Sequence, residues 1–237
     1  MPKSILKDVT IVYGHEDISG EANSLGIDFV SAEQPTTNFR SGGAEEYLPA
    51  LQSADWSFKG LRDRDTVGTF VYSGRRNRVP VVAGVGLLQA LGDIAYAQET
   101  VFAKYMEGGA VGETRKYELT LKGCRPTTRG VILDYTGAAA TDASSGGLTL
   151  GPVLATQKLR AILQVTKAPA SGTFAATIQS DADNTYASPL VRVTFATLTG
   201  VGEQVVEVSG PITDTDWRTT RVVTGGAWEY RVFFAIE

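Results

Sequence analysis

The stretch WEYRVFFAIE, residues 228–237, constrains the fold more than any other part of this chain. Taken in steps of two, Trp228, Tyr230, Val232, Phe234 and Ile236 share one face, and Glu229, Arg231, Phe233, Ala235 and Glu237 share the other. That period is the signature of a strand with one buried side. Trp217–Val223 is a second run, rich in Thr and Val, and Thr224-Gly225-Gly226-Ala227 separates the two. A Gly-Gly pair supplies the positive φ that tight hairpin turns need. The prediction is a closing β-hairpin whose apolar face is covered by a larger sheet, because two strands alone are marginal in water.

The same alternation runs back through the second half. Leu159, Ala161, Leu163 and Val165 line one face of Lys158–Thr166, and Phe174, Ala176 and Ile178 one face of Ser171–Gln179. Val191, Val193 and Phe195 do so in Leu190–Leu198, and Gln204–Val208 is a further short run. Turn-forming clusters separate them, at 167–172, 181–184 and 199–200. Strands at this spacing without helices predict a β-sandwich or jelly-roll-like unit. Charge supports a division at Arg125-Pro126. Residues 1–125 hold 14 Lys/Arg and 16 Asp/Glu, against 8 and 10 in residues 126–237.

The first half reads as mixed. Val9–Tyr13, Ser53–Lys59, Thr66–Tyr72, Val79–Ala83 and Arg115–Lys122 have strand patterns. Asp93–Met106 has a helical one: Ile94, Ala97, Val101 and Tyr105 step by three or four, Asp93 can cap the start, and Gly108-Gly109 stops the run. Ala44–Gln52 could also be helical, but it contains Pro49. The expectation is a mainly β protein, with a β domain over 1–125 that carries one flanking helix near 93–106. A second β-sandwich-like unit follows over 126–237.

Composition narrows the class. At 43% hydrophobic and 20% charged, with mean hydropathy -0.05, the chain is that of an ordered soluble protein. No run reaches the roughly 18 apolar residues that a spanning helix needs, so no membrane partner is expected. The first residues, from Met1 to Asp8, are too polar for a secretory signal. A net charge of -4 lacks the basic surplus of a nucleic-acid binder. One cysteine, Cys124, leaves no internal disulfide and suits a chain made in a reducing cytosol.

No catalytic constellation assembles from the remaining residues. The one histidine, His15, has no Cys or Gly-x-Ser-x-Gly partner and reads as a surface or hydrogen-bonded residue near a turn. Cys124 has no second thiol with which to hold zinc. Gly84-Val85-Gly86 is followed by Leu87-Leu88-Gln89, which lacks the third glycine of a dinucleotide fingerprint. Asp181-Ala182-Asp183-Asn184 lacks the glycine and distal glutamate of a calcium loop and reads as a turn. The expectation is therefore no enzyme, no cofactor and no metal. Arg75, Arg76 and Arg78 form the one basic cluster, and in an acidic chain they suit a solvated hairpin tip or a subunit contact better than a DNA groove.

Several stretches, in order, resemble the major tail proteins, or tail tube proteins, of bacteriophages with long non-contractile tails. YGHEDISGEANSLGID (13–28) resembles their opening, EEYLPALQSADWSFKGL (45–61) the segment leading into the early sheet, and GDIAYAQETVFAKYMEGGAVGETRKYELTL (92–121) the stretch ending in a Gly-Glu-rich turn and a strand. LRAILQVTKAPASGTFAATIQSDADN (159–184) and ITDTDWRTTRVVTGGAWEYRVFFAIE (212–237) resemble their carboxyl-terminal β region. The chain is longer than the smallest one-domain tube proteins, so the second half is either a tube-like repeat or an outer unit.

The resemblance implies a tail-tube-like first domain and a virion structural protein, made and assembled in the bacterial host cytoplasm. It implies hexameric rings, or trimeric pseudo-hexameric ones, that stack into the tail tube and meet other phage tail proteins. Double-stranded DNA would pass through the lumen during ejection without specific binding, since an acidic wall repels phosphate. Glu16, Asp17, Asp63 and Asp65 are the candidate lumen carboxylates. Two long polar connections, Gln34–Gly43 and Ser73–Arg78, read either as arms toward an adjacent subunit or ring or as mobile surface loops. The alternatives are a capsid decoration protein, with the same chemistry-free β character, and a carbohydrate-binding module using Trp217, Trp228 and Tyr230 as a stacking platform.

Overall fold

The structure is a computed structural model and describes residues 9–35, 47–61, 78–84 and 90–237. Among them the strands are β1 (Thr10–Tyr13), β2 (Glu16–Asp17), β3 (Ala22–Pro35), β4 (Tyr47–Leu61), β5 (Val79–Gly84) and β6 (Ile94–Gly108). The next are β7 (Lys116–Gly123), β8 (Thr128–Ala139), β9 (Ala143–Ser144), β10 (Leu148–Thr149) and β11 (Lys158–Lys167). The chain continues through β12 (Phe174–Asp181), β13 (Leu190–Thr194), β14 (Gly202–Ser209), β15 (Asp216–Val223) and β16 (Trp228–Ile236). The described residues contain no helix.

This corrects the helix expected near 93–106. Those residues lie in or beside β6, whose first residues pair with β8 and later ones with β7. The helical stripe is not buried as a unit: Ile94 at its start is exposed, and burial steps by two from Ala95 to Ala97. Thr100, Val101 and Phe102 are β-branched or aromatic, and partners on both sides override a marginal helical spacing. Tyr47–Gln52 of the other helical candidate belong to β4. Thr66–Tyr72 lies outside the described residues.

Two compact units are built from interleaved segments. The first comprises residues 1–19, 80–97 and 128–237, and the second residues 20–79 and 98–127. In the first unit one sheet has the order β14-β11-β16-β8-β6-β5-β1-β2, and a second has the order β10-β15-β12-β13 with β9 beside β15. The predicted terminal hairpin is split between them: β15 lies in the second sheet and β16 in the first. Gly225 and Gly226 carry the expected positive φ, 81° and 135°, and let the chain cross between layers.

The apolar alternation reads directly into this core. Leu159, Ala161, Leu163 and Val165 of β11 join Trp228, Tyr230, Val232 and Phe234 of β16 on one side. Phe174, Ala176 and Ile178 of β12 and Trp217 of β15 meet them from the other sheet. Each large side chain buried here contributes roughly 1.5–3 kcal/mol. The expectation of one buried side is nevertheless too modest. Ile162, Phe233 and Ala235, on the reverse faces of β11 and β16, pack with Val82, Ala95, Ala97 and Ile132. The sheet curls far enough for Gln164 Nε2 on β11 to donate to the carbonyls of Val12 (3.2 Å) and Gly14 (2.6 Å) at β1.

The second unit is a sheet of order β3-β4-β7-β6. Trp56, Phe58, Leu119 and Leu121 are fully buried in it. The Trp56 indole donates to Gln98 Oε1, and the Gln98 amide donates to the Arg125 carbonyl, so these three groups are joined in series.

Candidate assembly surfaces

β3 and β4 form one long antiparallel ribbon, from Ala22↔Gly60 to Pro35↔Tyr47. The ribbon has two zones. Asp55–Leu61 of β4 also pair with β7, so the inner zone belongs to a wider sheet. Beyond Ala54, β4 pairs with β3 alone among the described residues. Phe29, at the junction, is 63% exposed. Asp28 sits opposite Asp55 across the ribbon, and Lys122 donates to the Asp55 carboxylate and balances that like-charge pair.

The outer edge of β14, in the first unit, differs in kind. Its Gln204 side chain accepts from Ala196 N and donates to Ala196 O, both at 2.7 Å. Glu203 accepts from His15 Nδ1 at 2.7 Å. Side chains of β14 are thus engaged with neighbouring segments of the same unit.

Of the basic cluster, Arg75 and Arg76 lie outside the described residues, and Arg78 is exposed just before β5. Among the candidate lumen carboxylates, Glu16 is half-buried, which pushes its carboxyl up, and Asp17 is exposed. Asp63 and Asp65 lie outside the described residues, as do residues 36–43 and 73–77 of the two candidate arms. The Asp181–Asn184 segment is a turn with its carboxylates engaged: Asp181 accepts from Ala182 N and Ser188 N, and Asp183 from Thr185 N.

The carbohydrate platform is not available at the surface. Trp217 and Trp228 are 0% exposed and Tyr230 is 1% exposed, because all three are core residues between the two sheets. Tyr230 serves a polar bridge that sequence reading missed. Its hydroxyl donates to Asp134 on β8 and accepts from Arg221 Nη1 on β15 at 2.7 Å, which ties one sheet to the other. Burial pushes the Asp134 carboxyl up, against the Tyr230 bond and the Arg221 charge. No local signal marks this bridge: Arg221 is one of two Arg in the Thr-rich β15, Asp134 is one polar residue of β8, and only the register brings them together.

The sequence matches no protein-family model and no curated protein. A chain in the virion of a native gene transfer agent particle aligns at a TM-score of 0.41 and 17% identity, over 54% of this chain and 98% of that one. A chain from the tail of an empty gene transfer agent particle gives 0.38 and 17%, over 46% and 81%. The SPP1 Dit protein, a hub adsorption apparatus component of a phage infecting Gram-positive bacteria, gives 0.36 and 12%, over 98% and 100%.

Proposed function

We propose that this chain is a structural protein of a phage tail, and that its subunits form rings which stack into a tail tube, the conduit for DNA ejection. The observation that carries this reading is the outer zone of the β3–β4 ribbon. A two-stranded ribbon is marginal in water, and an unpaired edge is a template for another chain. A neighbouring copy that covers the ribbon satisfies both requirements and shields Phe29. The ordered resemblance over residues 13–28, 45–61, 92–121, 159–184 and 212–237 supports the tail family as the setting.

In this reading the rings are hexameric, or trimeric and pseudo-hexameric, and other phage tail proteins terminate the stack. Arg75, Arg76 and Arg78 are subunit contacts that pair with carboxylates of a neighbouring copy. Glu16, Asp17, Asp63 and Asp65 supply negative potential to the lumen. Negative-stain microscopy of the purified chain at high concentration tests the proposal: rings or tubes are expected. Trimers that bind capsids would favour a decoration protein, and dispersed monomers at every concentration would overturn the ring reading.

A further inference from the structure

The curled sheet of the first unit has a seam. Among the described strands, β1 pairs with β2 and β5, and β14 pairs with β11, and no backbone ladder joins β1 or β2 to β11 or β14. Side chains close it instead. Gln164 spends both amide protons on the Val12 and Gly14 carbonyls. One residue further, His15 Nδ1 meets Glu203 Oε2 at 2.7 Å, with both side chains about one-quarter exposed, at 26% and 24%.

We propose that the turn between β1 and β2 is a protonation-controlled clasp, in which His15 and Glu203 fasten this turn to β14 and release the seam when the imidazole loses its proton. The geometry sets the chemistry. A protonated imidazole donating to a carboxylate makes a charge-assisted bond, roughly twice as strong as a neutral one. The neutral ring keeps a weaker bond only in the tautomer with its proton on Nδ1.

Among the described residues the titratable groups around the clasp include Glu203 on β14, Glu16 on β2 and Tyr13 on β1, while β11 presents the uncharged Gln164. The Glu203 bond raises the His15 pKa, burial opposes this, and the Glu203 and Glu16 charges add to the rise. Burial and Glu203 push the Tyr13 phenol up to about 12, so it stays neutral. A His whose folded value is raised contributes stability that is complete below its ordinary value of about 6.5. That contribution is lost as pH rises through the folded value. The clasp therefore holds in mild acid and loosens toward alkaline pH.

Closure has an electrostatic consequence inside the unit. Arg231 of β16 is 2% exposed, lies opposite Gln164, and has no hydrogen-bond partner for Nη1 among the described residues. Burial lowers its pKa to about 10, against the charge of Asp17 on β2. A closed turn keeps Asp17 in range of this buried cation.

One histidine in the chain makes the test clean. NMR titration of the His15 ring in the full chain should give an inflection above about 6.5, and Glu203→Gln should lower it. Amide exchange supplies the second readout. Gly14 N, bonded to Pro80 O, and Ile18 N, bonded to Ile11 O, report on the turn. After correction for intrinsic rates, their protection should fall about tenfold between roughly pH 5.5 and 8.5. It should stay flat in Glu203→Gln. His15→Gln, which removes the titrating group, should also give a flat profile and covers the case in which Glu203→Gln does not fold. A flat wild-type profile, or an equal fall in the variants, would overturn the clasp.

Discussion

β16 and β3 are both long strands, and they serve opposite ends. β16 has a partner on each side and apolar cover on both faces, with Trp228, Tyr230, Val232 and Phe234 on one and Phe233 and Ala235 on the other. Among the described residues β3 has one partner, β4, and its Phe29 is open to solvent. A side chain lost from β16 is felt by the monomer, because packed interiors relax only partly around a cavity. A side chain changed on the exposed ribbon leaves the monomer alone and alters what can dock there. In the proposed reading stability and assembly fall to different strands, and each assignment can be broken separately.

The sharpest break is Phe234→Ala, which should cost about 3–5 kcal/mol. Urea unfolding with an unchanged midpoint would show that the β16 core is not the main prop. Tyr230→Phe comes next. It leaves the Asp134 carboxylate buried without its hydroxyl donor, at a cost of about 1–3 kcal/mol.

That variant also has a pH signature. The folded Asp134 value already lies above its ordinary one, so the folded state holds its proton longer, and stability falls as pH climbs from about 3.9 toward the folded value. Removing the Tyr230 bond, which opposes the rise, should extend that falling window to higher pH. Unfolding free energies measured across the acid range read this directly, and an identical slope in both proteins would count against the bridge.

On the assembly side, Phe29→Asp should change monomer stability by no more than about 0.5 kcal/mol while abolishing rings or tubes under the microscope. Tubes formed normally by this variant would remove the ribbon from the interface. Reversing Arg75, Arg76 and Arg78 together should likewise block polymerisation and leave the melting temperature in place. The smallest expected effect is none at all. Soluble subunits should show no gel shift with double-stranded DNA at about 0.15 M salt, where screening acts within roughly 8 Å. Salt-resistant binding at micromolar protein would contradict a passive conduit.

What was legible followed from period. The strands β11, β12, β15 and β16 were readable because their apolar residues alternate over several repeats, and the Gly225-Gly226 turn announced itself. β3 and β8 were not read, since ANSLGIDFVS and TRGVILDYTG lack a sustained alternation. β6 was misread because a few aliphatic residues at helical spacing outweigh nothing once a sheet offers partners on both sides. The doubly buried faces were hidden for another reason. Arg160, Gln164 and Arg231 mark the reverse faces of β11 and β16 as polar, and a polar face reads as solvent-facing until its partners are known. The same limit applies to the clasp: His15 and Glu203 are 188 residues apart, beyond any local pattern.

The interleaving of the two units sets an order of events during synthesis. The second unit has all of its strands once residue 127 is made. The first cannot close then, because β1 and β5 wait for β11, β14 and β16, which emerge last. Chains grow at about 5–20 residues per second and fold unit by unit as they appear. The early strands of the first unit therefore spend several seconds without their partners, while the nested unit is free to form. Pairings over such separations are also slow to find, because loop closure precedes any contact. The ribbon proposed for assembly is thus ready before the core that stabilises the subunit, which makes the ribosome-bound chain the stage at which premature pairing between neighbours is most exposed.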